Sequence, residues 1–299
     1  MEEKLEEKTQ SKKLEDIKKE MIKEQRSLRV RQFLHNKSIV VGATVVLLLT
    51  IIAVFADQIA PYDPYALDII NKIKGPSTTH IFGTDTFGRD LFSRIIYGTR
   101  ISMIVGGFVS VLTLIFGMIL GLYAGYYKKV DAIVMRICDG LKSIPSMLLA
   151  IALVAVMGTG INNIILSLTI VYIPDIARVA RTMTIQVREQ TYIEALKASG
   201  AKSSRIIWKN ILPNVISTVL VQISFIFATA IITEASLSFL GVGIPVPQPS
   251  WGNIISEGKT VIYKAWWMIV FPGAFTAISV LGLNLFGDGL RDFLDPLTN

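Results

Sequence analysis

The sequence predicts an all-α polytopic membrane protein with about six transmembrane helices. Three observations carry that expectation. The chain is 52% hydrophobic and only 18% charged, with a mean hydropathy of +0.53, far from the average of a soluble domain. Several charge-free stretches reach the roughly 20 residues that a helix needs to cross a bilayer core about 30 Å thick. Basic residues, finally, are gathered on alternate connecting segments.

Residues 1–37 form an N-terminal tail whose Lys/Glu alternation, with sparse Leu5, Leu14, Ile17 and Ile22, suggests a solvated or amphipathic helix. A cleaved signal is not expected, because the tail is a run of charges and Ser38–Ala56 is long for a signal's apolar core. Residues 38–56 therefore read as a first transmembrane helix that stays as an anchor. Residues 57–100, with Pro61, Pro64, Gly75 and Pro76, read as an external loop region. Residues 101–290 then form the transmembrane domain proper, followed by a tail at 291–299.

Within that domain Ile101–Tyr127 is a second span. Its Gly117, Gly121 and Gly125, four residues apart, would let a neighbouring helix approach closely. The charge-free stretch Ser143–Pro174 is too long for one span and reads as two, joined by a tight turn at Gly158-Thr159-Gly160 and Asn162-Asn163. The first of these two could extend back toward Ala132, provided that Arg136, Asp139 and Lys142 met water or protein. Asn210–Thr233 and Ala265–Gly287 complete the set.

Six spans put both termini on one side. Residues 1–37, 128–142, 175–209 and 288–299 hold 23 lysines and arginines, against 7 in residues 57–100 and 242–264, so both termini are expected in the cytoplasm. The net charge of +7 then sits where it orients the chain and meets anionic headgroups of the lipid bilayer, and no nucleic-acid partner is expected.

The sequence offers no catalytic constellation. His35 and His80, the two histidines, fall on opposite sides of the membrane in this topology, and Cys138 is the one cysteine, so no metal site is expected. The same topology places Cys138 near the cytoplasmic face as a reduced thiol. An intramembrane protease would need a Ser/His pair or facing aspartates, which the clear spans lack. Residues Gly252 to Thr260 approach a phosphate-binding loop, but five residues separate the glycines where the pattern has four, and no strand precedes them.

The cytoplasmic segment 188–213 is the most informative. Thr191-Tyr192-Ile193-Glu194 fits a capping box, Gly200 suits a helix stop, and Ser203 or Ser204 could cap a second short helix carrying Ile206, Ile207 and Trp208. Pro213 suits the first turn of the next span. A rigid helical elbow is expected. Within it, Glu194-Ala195-Leu196, Gly200 and Leu212-Pro213 resemble the EAA loop by which ABC importer permeases dock on their ATPases. The family pattern has a second alanine at the position of Leu196 and an isoleucine at that of Asn210.

Further motifs are similar to the C-type permease subunit of dipeptide and oligopeptide importers. They are His80-Ile81-Phe82-Gly83-Thr84-Asp85-Thr86-Phe87-Gly88-Arg89-Asp90, the run from Glu234 through Gly241, Pro249-Ser250-Trp251-Gly252, and the run from Gly282 through Asn284, Asp288, Arg291 and Asp292. The resemblance spans residues 26–296. It implies a type I ABC importer permease fold, a related B-type permease as heterodimer partner, two ABC ATPase subunits that bind ATP and Mg, and an extracytoplasmic peptide-binding protein. No cofactor is implied in this chain. Peptide is the implied cargo, although nickel and some sugar importers share these motifs. An ion-coupled transporter working alone is the rival class.

Local chemistry gives these motifs independent readings. Asp85, Arg89 and Asp90 can close turns and pair ionically as a structural clasp, or they can face a binding protein or substrate. Glu234 follows a charge-free run near the outer end of the fifth span, where a carboxylate needs water, backbone donors or a basic partner.

Overall fold

The computed structural model describes residues 35–294, together with Met21, so the tail read as a helix lies almost wholly outside the described residues. The described chain is helical, and its one β-bridge joins Thr84 to Asp90. Five helices are long and apolar enough to cross a membrane, or six crossings if one bent pair counts as a span.

Helix α1, Lys37–Val54, is capped by Asn36, whose side chain accepts from the Ser38 and Ile39 amides at 3.0 and 3.2 Å. Helix α2, Leu91–Tyr126, has 36 residues and begins well before the expected Ile101. Arg94 and Arg100 look like loop residues in the sequence. Both are answered by carboxylates, so the helix carries them.

Next come α3, Lys128–Lys142, and α4, Ser146–Met157, bent 92° from each other. This corrects the expectation of two full spans over Ser143–Pro174. Helix α4 has 12 residues, or about 18 Å of rise, and cannot cross a core of about 30 Å by itself. Only together with α3, across that bend, does it reach the length of one crossing, the backward extension considered for this region. Three charges of α3 meet protein: Asp139 pairs with Arg178 at 2.6 Å, Lys142 with Asp175 at 2.7 Å, and Asp131 with Arg181. Arg136 is exposed and has no ion-pair partner among the described residues. The expected turn follows at Gly158 and Gly160, where the Asn163 amide donates to the Met157 carbonyl at 2.7 Å.

Helix α5, Ile161–Arg188, does not stop at Pro174 but runs through it. Its second half was expected to be a connecting segment, because Arg178 and Arg181 interrupt the apolar pattern. Pairing with α3 removes that objection. The glycine stripe of α2 faces α5 as expected: a methyl at 117, 121 or 125 would come within 2.5–2.6 Å of Ile176, Ala180 or Thr184 side-chain atoms.

Beyond a bend at Gly200, helix runs on to Phe239. Its start is α-helical at Ser203–Arg205, becomes a π-helical stretch at Ile206–Ile211, and continues as α7, Leu212–Phe239. Before the bend stands the elbow helix α6, Thr191–Ala198. Helix α8, Trp251–Lys259, is capped by Ser250, which accepts from the Asn253 amide, and α9 is Trp267–Leu294. The near phosphate-binding loop is thus part of α8, a helix.

Apolar burial forms one body around α2, α5 and α7, reaching Ile193, Ile206, Ile207 and Ile211 of the elbow. A second gathers Leu91, Ile95, Trp251, Trp267 and Met268 at the opposite end. Helix α9 lies against α1, where methyls at Gly282 and Gly289 would meet Val45 and Ile39. Because Ile39 meets Gly289, while Arg291 and Thr218 line one cavity, the start of α1, the end of α9 and the elbow share one end of the bundle.

Candidate functional site

The candidate residues separate into two constructions at opposite ends of the bundle, an elbow and a clasp. At the elbow, α5 ends at Arg188, whose guanidinium donates to the last carbonyls of α2, Gly125 at 2.9 Å and Tyr126 at 3.3 Å. The Tyr126 hydroxyl donates to the Ser203 hydroxyl at 3.4 Å, and Lys197 lies over the Tyr126 ring. Helix α6 is thereby braced against the end of α2. Its apolar side turns inward: Ile193 is fully buried and Leu196 packs on the same core.

The expected capping box is absent. Helix α6 begins after Gln190, whose carbonyl accepts from the Ile193 and Glu194 amides, so Thr191 is already inside it and no side-chain cap bond forms. Ser203 and Ser204 likewise lie within the next helix, after Lys202, and cap nothing. The second short helix is not a separate element, because the π-helical stretch carries it into α7. Gly200 behaves as expected. It takes φ +79°, its amide donates to the Lys197 carbonyl, and the Ala201 amide reaches back to Leu196, each at 3.0 Å. Leu212 joins the core and Pro213 stands in the first turn of α7. What the elbow presents outward is Thr191, Tyr192, Glu194, Ala195 and Ala198, all exposed. The exposed side of this fixed bend thus carries one carboxylate, Glu194, one amine, Lys197, the Tyr192 ring and two small apolar side chains.

At the clasp end, Thr84, Asp85, Arg89 and Asp90 are all buried. Asp85 Oδ1 accepts from the amides of Phe87 at 2.8 Å and Arg89 at 3.0 Å, while Oδ2 accepts from Arg89 Nε at 2.6 Å and from Arg94. Gly83 and Gly88 take positive φ to make these turns. Asp90 caps α2 by accepting from the Ser93 amide and hydroxyl, each at 2.8 Å, and its other oxygen lies 2.9 Å from His80 Nδ1. Sequence reasoning missed two members, Arg94 and Glu257. Arg94 Nη1 and Nη2 donate to Glu257 at 2.6 and 3.0 Å, and Arg89 Nη2 donates to the same carboxylate at 2.8 Å. Two carboxylates and two guanidiniums thus balance in one cluster, buried except for Glu257, which is half-buried. The geometry favours the structural reading of this motif.

The remaining motif residues hold that arrangement together. Trp251 is fully buried and donates from Nε1 to the Ile95 carbonyl at 3.3 Å, and a methyl at Gly252 would strike the Ala235 carbonyl oxygen at 2.2 Å. Gly241, at φ +81°, ends α7. Among the described residues Glu234 meets neither a basic partner nor a backbone donor. It is fully buried and accepts from the hydroxyls of Ser102 at 3.1 Å and Ser238 at 2.8 Å, joining α7 to α2. On α9, Asn284 is half-buried, whereas Asp288, Arg291 and Asp292 are exposed at the elbow end.

Among the described residues no group of three or more His, Cys, Asp or Glu side chains could hold a metal ion. Comparison with known proteins is unambiguous. Residues 113–299 match the family model described as binding-protein-dependent transport system inner membrane component, and residues 25–76 match the N-terminal transmembrane domain of oligopeptide transport permease C. The chain is 42% identical over 269 residues to a putative peptide transport system permease protein of Brucella abortus, covering 90% of this chain and 91% of that one. It is 43% identical over 267 residues to a dipeptide transport system permease protein of Alkalihalophilus pseudofirmus, covering 89% and 88%. It is also 43% identical over 270 residues to a glutathione transport system permease protein of Pectobacterium atrosepticum, covering 89% of each.

Proposed function

The chain belongs to the family of binding-protein-dependent transport system inner membrane components, and we propose that within it this chain is the C-type permease subunit of an ATP-driven peptide importer. It is a multi-pass membrane protein and a transport permease. The proposal adds the cargo, the partners and the coupling. Relatives named for peptide, dipeptide and glutathione transport support a peptide cargo, since glutathione is itself a small peptide.

The observation that carries the coupling is the elbow. It is braced by Arg188 against α2, stopped by Gly200, and continuous through the π-helical stretch with α7. A push on the exposed face of α6 is therefore transmitted to α2, α5 and α7 rather than absorbed by a loose loop. In this reading two ATPase subunits, which hold ATP and Mg, dock on the surface around Glu194, Ala195 and Ala198. A B-type permease pairs with this chain, and a peptide-binding protein delivers cargo at the clasp end. The elbow and both termini then lie in the cytoplasm, in keeping with the basic residues gathered there. ATP-driven closure of the motor subunits rocks the bundle between inward-open and outward-open states.

The test is Gly200→Pro in the assembled importer. Proline fixes φ near −65°, which is incompatible with the +79° of this position. Hydrolysis should continue while peptide uptake is lost. Uptake at the parental rate by a normally assembled variant refutes the coupling role. Uptake by this chain alone, driven by an ion gradient without ATPases, would instead establish the secondary-transporter class.

A further inference from the structure

Helix α7 carries polar side chains that the bundle leaves unburied. Asn214, Thr218, Gln222, Thr229 and Ser236 are exposed or half-buried along its length. At about 100° per residue they fall within a face of about 80°. Glu234, the one carboxylate of this helix, points about 160° away from Thr218 and is fully buried. Thr229 and Ser236 donate to carbonyls of their own helix at 2.8 Å, so alone they would be tolerated against lipid.

Gln222 would not be tolerated there. Its amide has two donors and an acceptor, and neither it nor Thr218 has a hydrogen-bond partner among the described residues. Hydrocarbon is a costly environment for such a group. Both residues instead line a cavity of about 440 Å³ at the elbow end, whose one charged lining residue is Arg291 of α9. Arg291 has no ion-pair partner among the described residues.

We infer that this face of α7 lines the translocation pathway and that the cavity holding Arg291 is its mouth at the elbow end. The chemistry names the class of solute. The amides and hydroxyls of this face, between which Phe225 and Ile232 also stand, exchange hydrogen bonds with a peptide backbone, and the guanidinium receives the terminal carboxylate. No carboxylate, histidine or cysteine stands on the stripe, so it offers a divalent cation such as nickel no ligand set. The inference rests on the transport reading and deepens it with a pathway wall and a cargo preference.

The test is thiol accessibility in the whole importer, in a Cys138→Ala background. Thr218→Cys, Gln222→Cys and Thr229→Cys should react with a small, charged, membrane-impermeant methanethiosulfonate at least ten-fold faster than Ile216→Cys and Leu220→Cys. Both controls are exposed and lie about 160° round the helix from Thr218. A transported dipeptide should slow the reaction at Gln222→Cys several-fold, and nickel(II) chloride should leave it unchanged. Equal rates on the two faces, no effect of dipeptide, or protection by nickel overturns the inference. Peptide uptake by the parent importer is measured in parallel, so failure of the pathway assignment is distinguished from failure of the peptide-importer reading.

Discussion

Arg94 and Glu257, 163 residues apart in the chain, meet at the clasp end through two hydrogen bonds, Nη1 to Oε2 at 2.6 Å and Nη2 to Oε1 at 3.0 Å. Arg94 is fully buried and also donates to Asp85, so this pair fastens α2 to both α8 and the loop that precedes α2.

Removing Arg94 leaves Asp85 and Glu257 with only Arg89. Breaking a buried ion pair from one side typically costs about 3–5 kcal/mol, because a charge is left uncompensated. Arg94→Ala should therefore lower the melting temperature of the purified chain sharply. Arg100→Ala should lower it far less, since its pair with Asp57 is partly exposed and such pairs contribute about 0–1 kcal/mol.

Gly121 and Gly107 lie on the same helix and predict opposite outcomes for the same change. A methyl at 121 would sit 2.5 Å from the Ala180 Cβ and 2.6 Å from the Ala177 carbonyl oxygen, forcing α2 from α5. Overpacking of this kind costs about 1–3 kcal/mol. At 107 nothing lies within 4 Å, so Gly107→Ala should be neutral or stabilising by up to about 1 kcal/mol through helix propensity. Thermal unfolding of the two variants separates the cases.

Gly200→Ala complements the proline test. No atom lies within 4 Å of the added methyl, so the penalty is the left-handed backbone alone, about 1–2 kcal/mol. Uptake should fall while remaining measurable. Hydrogen exchange should quicken across 197–201 and stay unchanged at the clasp.

Asp57 gives a pH signature. The Arg100 guanidinium at 2.9 Å, helped by the Tyr97 hydroxyl, holds its carboxyl below the ordinary carboxylate range. A depressed folded-state pKa stabilises above the unfolded value of about 4 and ceases to do so as pH falls through the folded value. Asp57→Asn should melt below the parent at pH 7, and the difference should close on acidification below about pH 4.

The sequence alone determined that the chain crosses a membrane several times, where most apolar stretches lie, and that Gly200 stops a helix. These are local properties, set by about twenty apolar neighbours or by one backbone angle. It also carried the small-residue contact of α2 with α5, because a four-residue spacing is itself a helix face. Only the tertiary structure decided which charges a helix can carry. Arg94, Arg178 and Arg181 read as loop residues until Glu257, Asp139 and Asp131 are seen opposite them. The early start of α2 and the run of α5 past Arg178 and Arg181 go with such pairing, whereas the bend between α3 and α4 falls at Pro145. The same holds for the stripe on α7, whose residues look like ordinary span polarity until packing leaves them uncovered. A charge or an amide is acceptable in a membrane protein according to what faces it, and what faces it comes from a distant part of the chain.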